Sequence, residues 1–126
     1  MKTLIIPDIH NKIEIADWIV GAEPADVVVY LGDYFDDFGD GPEDARRVAE
    51  WLNRTALRDD RVCLIGNHDV PYLFPATLKH TMCSGWSVAK AQAIKVTIDP
   101  GAVARMKLVY ADGVPDSSIF SHAGMS

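Results

Sequence analysis

The sequence has few cysteines and no long apolar run, and each shortage excludes a class of protein. Its 126 residues contain only two cysteines, Cys63 and Cys83, with no C-x-x-C pair. A disulfide scaffold is therefore not expected, and Cys63, inside an apolar run, is interpreted as a small buried hydrophobe. The first apolar run ends at Pro7, too early for a signal peptide, and no segment approaches membrane-spanning length. We therefore expect a cytoplasmic protein in a reducing compartment.

Positive charge is also scarce, since the net charge is −6. This balance disfavours a nucleic-acid partner held through its phosphates. The acids cluster between residues 33 and 44, where no Lys or Arg occurs: Asp33, Asp36, Asp37, Asp40, Glu43 and Asp44. Composition alone leaves open whether this segment is a solvated loop or holds cations. With 48% hydrophobic residues at single-domain length, we expect one domain over residues 1–126.

Three short apolar runs predict strands at Leu4–Ile6, Val27–Leu31 and Val62–Ile65. Continuous apolar strands separated by amphipathic segments indicate βαβ units and a sheet covered by helices. Ligands bind beyond the carboxyl ends of strands in such sheets. Polar residues follow all three runs, namely Asp8 and His10, Asp33 and Asp36, then Asn67, His68 and Asp69. This repeated pattern predicts a site at one sheet edge.

Helix signals lie between the predicted strands. Asn11 with Glu14 resembles a capping box and predicts a helix to about Val20. Pro42 followed by two acids predicts the start of a second helix. Trp18 is interpreted as a core residue, and the segment after residue 70 as an irregular loop. The other predicted elements are a helix over 87–98, a helix starting at 99–100, and strands over 107–111 and 119–121.

The polar residues have the chemistry of metal ligands. Asp8 and His10 would project to the same side of extended backbone, and Asp33 has two oxygens that can bridge two cations. Asn67 offers an amide oxygen, and His122 an imidazole nitrogen at the end of a later apolar stretch. Such a mixture suits Mn, Fe or Zn. Two such ions, about 3.5–4 Å apart, are a common arrangement for hydrolysing phosphate esters.

Four motifs occur in order: D-x-H from Asp8, G-D-x-x-D from Gly32, G-N-H-D from Gly66 and S-H-A-G from Ser121. This ordered set resembles the calcineurin-like metallophosphoesterase superfamily, and the last motif is most similar to that of diadenosine tetraphosphatases and related serine/threonine phosphatases. The resemblance implies an α/β fold, with a mixed β-sheet flanked by helices as the N-terminal part of a four-layer αββα metallophosphoesterase sandwich.

The resemblance also implies a binuclear metal centre. In the family pattern, Asp8 and His10 would bind the first divalent ion, and Asp33 would bridge both ions. Asn67 and His122 would bind the second ion.

The resemblance further implies a proton donor beside the metals. His68 would protonate the leaving oxygen, and Asp36 would orient it, since a carboxylate partner fixes the orientation of a histidine ring. Asp69 would support the loop.

Two departures from the family pattern affect the prediction. Protein phosphatases follow G-D-x-x-D with Arg-Gly, whereas Asp37 and Phe38 stand here, so a phosphoprotein substrate is disfavoured. The family also places a further ligating histidine well after the last motif, whereas this sequence stops at Ser126. We therefore expect an incomplete domain: either the sequence is truncated, or the remaining ligands come from water, another residue or another chain.

The expected function is metal-dependent hydrolysis of a phosphoester or phosphoanhydride by a two-metal-activated hydroxide. Small nucleotide-type molecules are the first choice of substrate. A nuclease or phosphodiesterase is the enzymatic alternative, because G-N-H-D also occurs in those branches. The other alternative is a metal-binding but catalytically silent truncated module, or a half-domain that assembles with another chain. An uncovered sheet face would favour association with a second copy.

Overall fold

The computed structural model describes residues 1–111 and 119–121, with only the backbone described for 111 and 119–121. The strands are β1 Thr3–Ile6, β2 Val27–Tyr30, β3 Arg61–Cys63, β4 Val109–Ala111 and β5 Ile119–Ser121. The helices are α1 Ile13–Ala22, α2 Pro42–Thr55, α3 Val70–Leu73, α4 Leu78–Thr81, α5 Val88–Thr97 and α6 Pro100–Arg105. A short 3₁₀ turn, Pro75–Thr77, separates α3 from α4.

The first three strands form a parallel sheet in the order β1-β2-β3. Leu4 pairs with Val28, and Val29 pairs with Val62. Just after β3, Leu64 makes a parallel bridge to Lys107, and β4 and β5 form a separate antiparallel pair. The predicted α/β fold, a sheet flanked by helices, is confirmed. Because β1, β2 and β3 are parallel, the segments that follow them emerge at the same edge.

The two connections between these strands place α1 and α2 side by side. Right-handed crossovers that step across a sheet in one direction put both helices on the same face. The indole nitrogen of Trp51 on α2 donates to Asp17 on α1 at 3.0 Å. The Trp51 ring also meets Tyr30 of β2 edge-on, 5.1 Å between centroids. The core therefore ties both helices to the central strand.

The core prediction for Trp18 is wrong, since this residue is 73% exposed. Ile13 and Ala16 are the buried residues of α1, and Trp18 follows Ala16 by two positions. At 3.6 residues per turn, two positions place side chains on nearly opposite faces of the helix. Trp18 therefore faces solvent.

The capping-box prediction at Asn11 is also wrong. Helix α1 begins at Ile13 after Lys12, without a side-chain cap. Asn11 has a left-handed backbone with φ of 66°, and its amide donates to Asp40 at 2.8 Å. A tertiary hydrogen bond to the acidic segment has replaced the local one.

Among the helices of the described residues, none has the length and apolar character of a membrane-spanning segment.

The other helix predictions agree better with the structure. Helix α2 begins at Pro42, and the Asp44 carboxylate accepts from the backbone N–H of Gly41 at 2.9 Å. Asp99 caps α6 by accepting from Gly101 at 2.8 Å. The segment from 70 to 81 consists of short helical turns instead of an irregular loop.

The expectation of a single domain over residues 1–126 stays a prediction. The expected association through a sheet face also stays a prediction.

Candidate active site

Strained backbone is concentrated at the carboxyl edge of the parallel sheet. Among the described residues, five non-glycine residues have positive φ: Asp8 (38°), His10 (40°), Asn11 (66°), Asp33 (56°) and Asp36 (71°). Asp, Asn and His are the side chains that tolerate the left-handed region best. Such strain typically clusters at functional sites, where the surrounding structure holds it.

Three of the predicted metal ligands converge at this edge. Ligand atoms of Asp8, His10 and Asp33 all lie within 4.8 Å of one another. The expectation of extended backbone at Asp8 and His10 is wrong, because both are left-handed, yet their side chains still meet. Asp8 is exposed, His10 half-buried and Asp33 buried. The cluster is thus anchored on one side and open on the other.

The ring of His10 is held in one tautomer. Its Nδ1 lies 2.8 Å from the carbonyl oxygen of Asp36 and 3.1 Å from that of Phe35. Carbonyl oxygens only accept, so Nδ1 carries the proton and the lone pair of the neutral ring is on Nε2. Nε2 lies 3.8 Å from an Asp33 carboxylate oxygen. A second hydrogen bond of this kind commonly orients metal-ligating histidines, so the donor set fits a divalent ion.

Asp69 is the buried support of the site. Its carboxylate accepts three backbone N–H bonds, from Asp33 and Gly66 at 2.8 Å and from Tyr34 at 2.9 Å. Burial raises the pKa of Asp69 to about 7, and the three N–H donors counteract that rise. This one carboxylate joins the loop after β2 to the loop after β3, which is the kind of support that the sequence predicted.

Gly66 allows the two loops to approach each other. A Cβ at this position would overlap the backbone nitrogen and a carboxylate oxygen of Asp33. We therefore expect Gly66→Ala to displace Asp33 and to lower the free energy of unfolding by about 1–3 kcal/mol. Chemical denaturation and Mn²⁺ titration would measure both effects.

Gly21→Ala is the matched control, because an added Cβ on α1 meets nothing within 4 Å. It should leave metal binding unchanged and raise stability slightly, as Ala favours helix over Gly. Equal stability and metal affinity in Gly66→Ala would contradict the close-approach explanation.

The predicted proton donor and its partner are also in contact. Nδ1 of His68 lies 2.9 Å from Oδ2 of Asp36, and the backbone N–H of His68 donates to Asp33 at 2.9 Å. The rings of His68 and His10 meet edge-on with centroids 5.4 Å apart. Because the carboxylate accepts from Nδ1, Nε2 is the nitrogen of His68 available to a ligand.

A cavity of about 550 Å³ opens beside these side chains. His10, His68, Asp36 and Lys90 contribute to its wall, together with the segment from Asp37 to Asp40. Its volume lies in the range of small-molecule sites, about 300–1,000 Å³. Phe38 belongs to this segment, and its ring is fully exposed. The cavity thus extends from His10 and His68 to the exposed ring of Phe38.

The structure does not test the other two predicted ligands, Asn67 and His122. Asn67 is exposed, and its amide nitrogen donates to the sulfur of Cys83 at 3.7 Å. The Cys83 thiol in turn donates to the Asn67 backbone oxygen at 3.3 Å. His122 lies outside the described residues. The roles of Asn67 and His122 in a second metal site therefore stay predictions.

Sequence reasoning missed three residues that contact the pair of His68 and Asp36, either directly or through a neighbouring side chain. Oδ1 of Asp36 accepts from the Tyr72 hydroxyl at 2.6 Å and from Lys90 Nζ at 2.7 Å. Lys90 also donates to Asp40 at 2.8 Å. One signal was present in the sequence, since Lys90 precedes the buried Ile94 by four positions and so shares the apolar face of α5. A lysine on that face requires a partner.

Comparison with known proteins identifies the group to which this fold and site belong. The family model for the calcineurin-like phosphoesterases matches residues 1–123. The chain therefore belongs to the calcineurin-like phosphoesterase family, and the resemblance at superfamily level is confirmed. No curated protein and no solved structure matched the chain. Family membership supports metal-dependent phosphoester hydrolysis as the activity.

Proposed function

We propose that this protein hydrolyses a phosphoester or phosphoanhydride of a small nucleotide-type molecule, with divalent metal bound at the carboxyl edge of the sheet. One observation carries the proposal. The ligand atoms of Asp8, His10 and Asp33 converge within 4.8 Å, and His68, paired with Asp36, lies against the same cluster. The candidate metal cluster, through His10, and the candidate proton donor His68 therefore border one cavity.

The metal ligands fit Mn, Fe or Zn, which accept both carboxylate and imidazole. Asp8, His10 and Asp33 would hold one ion. Asp33, with Asn67 and His122, would hold a second in the binuclear arrangement. When bound, divalent ions neutralise phosphoryl oxygens and lower the pKa of water.

The protein's own residues then orient the substrate and move one proton. In its doubly protonated form, His68 delivers the proton of Nε2 to the leaving oxygen and is left neutral, with the Nδ1 proton still held by Asp36. The donated proton stabilises the oxygen as its bond to phosphorus breaks. Asp33 accepts from the backbone of His68, so the same contact that holds the metal ligand also positions the proton donor.

The cavity supports a small substrate with a planar group. Its volume of about 550 Å³ suits a nucleotide-sized molecule. Phe38 presents an exposed ring at this cavity, and aromatic rings stack on nucleobases. The net charge of −6 disfavours a nuclease acting on a long polyanion.

Metal dependence is the first test of this function. After treatment with a chelator, we expect no hydrolysis of bis(p-nitrophenyl) phosphate, p-nitrophenyl phosphate or a dinucleoside polyphosphate. Added Mn²⁺ should restore activity, and Ca²⁺, which prefers all-oxygen ligands, should restore much less. Comparing kcat/KM for the three substrates would identify the class.

Stoichiometric Mn²⁺ binding without hydrolysis of any of these substrates would contradict the enzymatic proposal. That result would instead favour the catalytically silent metal-binding module.

A further inference from the structure

The ammonium group of Lys90 is buried inside the wall of the cavity. Lys90 is only 3% exposed, and its Nζ lies 2.7 Å from Asp36 and 2.8 Å from Asp40. Burial lowers the pKa of Lys90, but the hydrogen bonds to the two carboxylates raise it more, so the net shift is upward. The side chain is therefore a charged group between two acids.

This ion pair is poorly explained as a source of stability alone. Taking three charges out of water is costly, and apolar residues of similar volume often stabilise such a position equally well or better. Lys90 shares its helix face with the fully buried Ile94, so an apolar side chain would suit the packing. Its neighbours indicate a different role, because one of its two partners is the partner of His68.

The two carboxylate oxygens of Asp36 have different hydrogen-bond partners. Oδ1 accepts from Lys90 and from the Tyr72 hydroxyl, at 2.7 and 2.6 Å. Oδ2 alone faces Nδ1 of His68, at 2.9 Å. Two donors on Oδ1 restrict rotation of the carboxylate, so Oδ2 stays directed at His68. Without Lys90, Asp36 would also lie close to the unneutralised carboxylate of Asp40.

We propose that Lys90 is a positioning residue that holds Asp36 in the orientation in which it keeps Nε2 of His68 directed at the substrate. This inference rests on the proposed function for its catalytic consequence, while the geometry of His68 can be measured without any activity. Lys90 touches neither His68 nor the metal-ligand cluster in the described contacts, and it acts through Asp36.

The same residue has a competing role as a phosphate-binding cation, since the arginine of the protein phosphatases is absent. Two observations oppose that role. Lys90 is almost completely buried, and its Nζ is already engaged by two carboxylates. A substrate-binding lysine would affect KM, whereas a positioning residue affects kcat, so kinetics separates the two roles.

The kinetic test compares two leaving groups in the Mn²⁺-loaded protein. Phenyl phosphate needs a proton on its leaving oxygen much more than p-nitrophenyl phosphate does, because phenolate is the poorer leaving group. We expect Lys90→Met to lower kcat about tenfold or more for phenyl phosphate and less than about threefold for p-nitrophenyl phosphate, with KM unchanged. Lys90→Arg should recover part of the loss, and the exposed Lys95→Met on the same helix should behave like wild type.

The spectroscopic test uses metal-free protein and ¹⁵N spectra of the histidine rings, with His68 assigned from His68→Ala. In the neutral ring, which is the state left once the Nε2 proton has been delivered, wild type should show the Nδ1-protonated tautomer at His68, and Lys90→Met should lose part of that population. If Lys90→Met is poorly folded, Lys90→Met with Asp40→Asn removes the second carboxylate as well and serves instead.

Four results would be decisive. Equal loss of kcat on both esters, or a higher KM with kcat retained, would overturn the positioning role. An unchanged His68 tautomer would also overturn it. If wild type hydrolyses neither these esters nor a dinucleoside polyphosphate, the proposed function fails, whereas the tautomer shift still supports or overturns the placement of His68 by Lys90.

Discussion

Asp33→Asn is expected to abolish metal-dependent hydrolysis, with the affinity for Mn²⁺ reduced at least about 100-fold. Loss of a residue that only orients a ligand costs about 10–100-fold in metal affinity, and loss of a ligand should cost no less. Asparagine has the same shape, and its amide oxygen can still accept the N–H of His68 that now binds Asp33. The substitution thus removes charge and leaves the packing in place.

Thermal unfolding separates this effect from damage to the fold. Asp33 and Asp69 lie close enough for Asp33 to raise the pKa of Asp69, so removing one charge should not lower the melting temperature of the metal-free protein. Mn²⁺ affinity from calorimetric titration and kcat with Mn²⁺ would be measured beside Asp59→Asn, an almost fully exposed acid. Unchanged activity in Asp33→Asn would refute a metal site built on Asp33.

His68→Ala should lower kcat by about 10²–10⁴-fold while metal affinity is retained. This is the usual contribution of a positioned proton donor. The backbone N–H of His68, which donates to Asp33, survives the substitution. Asp36 also keeps its bonds to Tyr72 and Lys90, so no buried carboxylate is left without a partner.

The exposed His80 provides the matched control for this prediction. His80→Ala should have the kcat and metal affinity of wild type under the same conditions. A large loss of Mn²⁺ affinity in His68→Ala would show that His68 is a metal ligand and not a proton donor. Activity equal to wild type would remove His68 from the mechanism.

Fold class was predictable because it depends on local patterns. Apolar runs at Leu4–Ile6 and Val27–Leu31, followed by polar residues, lie within a residue of β1 and β2. Parallel strands bring their carboxyl ends to one edge for any sequence, so the convergence of Asp8, His10 and Asp33 followed from their positions after the strands. The extended backbone expected at Asp8 and His10 is absent, since both residues are left-handed.

Errors arose where a tertiary contact outweighs a local signal. Asn11 has the sequence of a helix cap, but its side chain reaches Asp40 instead. Composition likewise could not show which acids of the segment from residue 33 to 44 are solvated and which have buried partners. Asp37 makes a partly exposed ion pair with Lys12 at 3.6 Å, whereas Asp36 and Asp40 face a buried lysine. Aspartates of the same segment thus have different environments, because different residues pack against them in the folded chain.

By itself, the sequence determined the α/β class, the edge of the sheet at which the site forms and the family to which the chain belongs. These properties depend on strand periodicity and on short ordered motifs. Only the tertiary structure decided how the site is held together. Lys90 and Asp36 are 54 positions apart, and their pairing depends on where α5 packs. The identity of neither residue specifies this pairing, because a buried charged group pairs with the opposite charge that the folded chain brings near it.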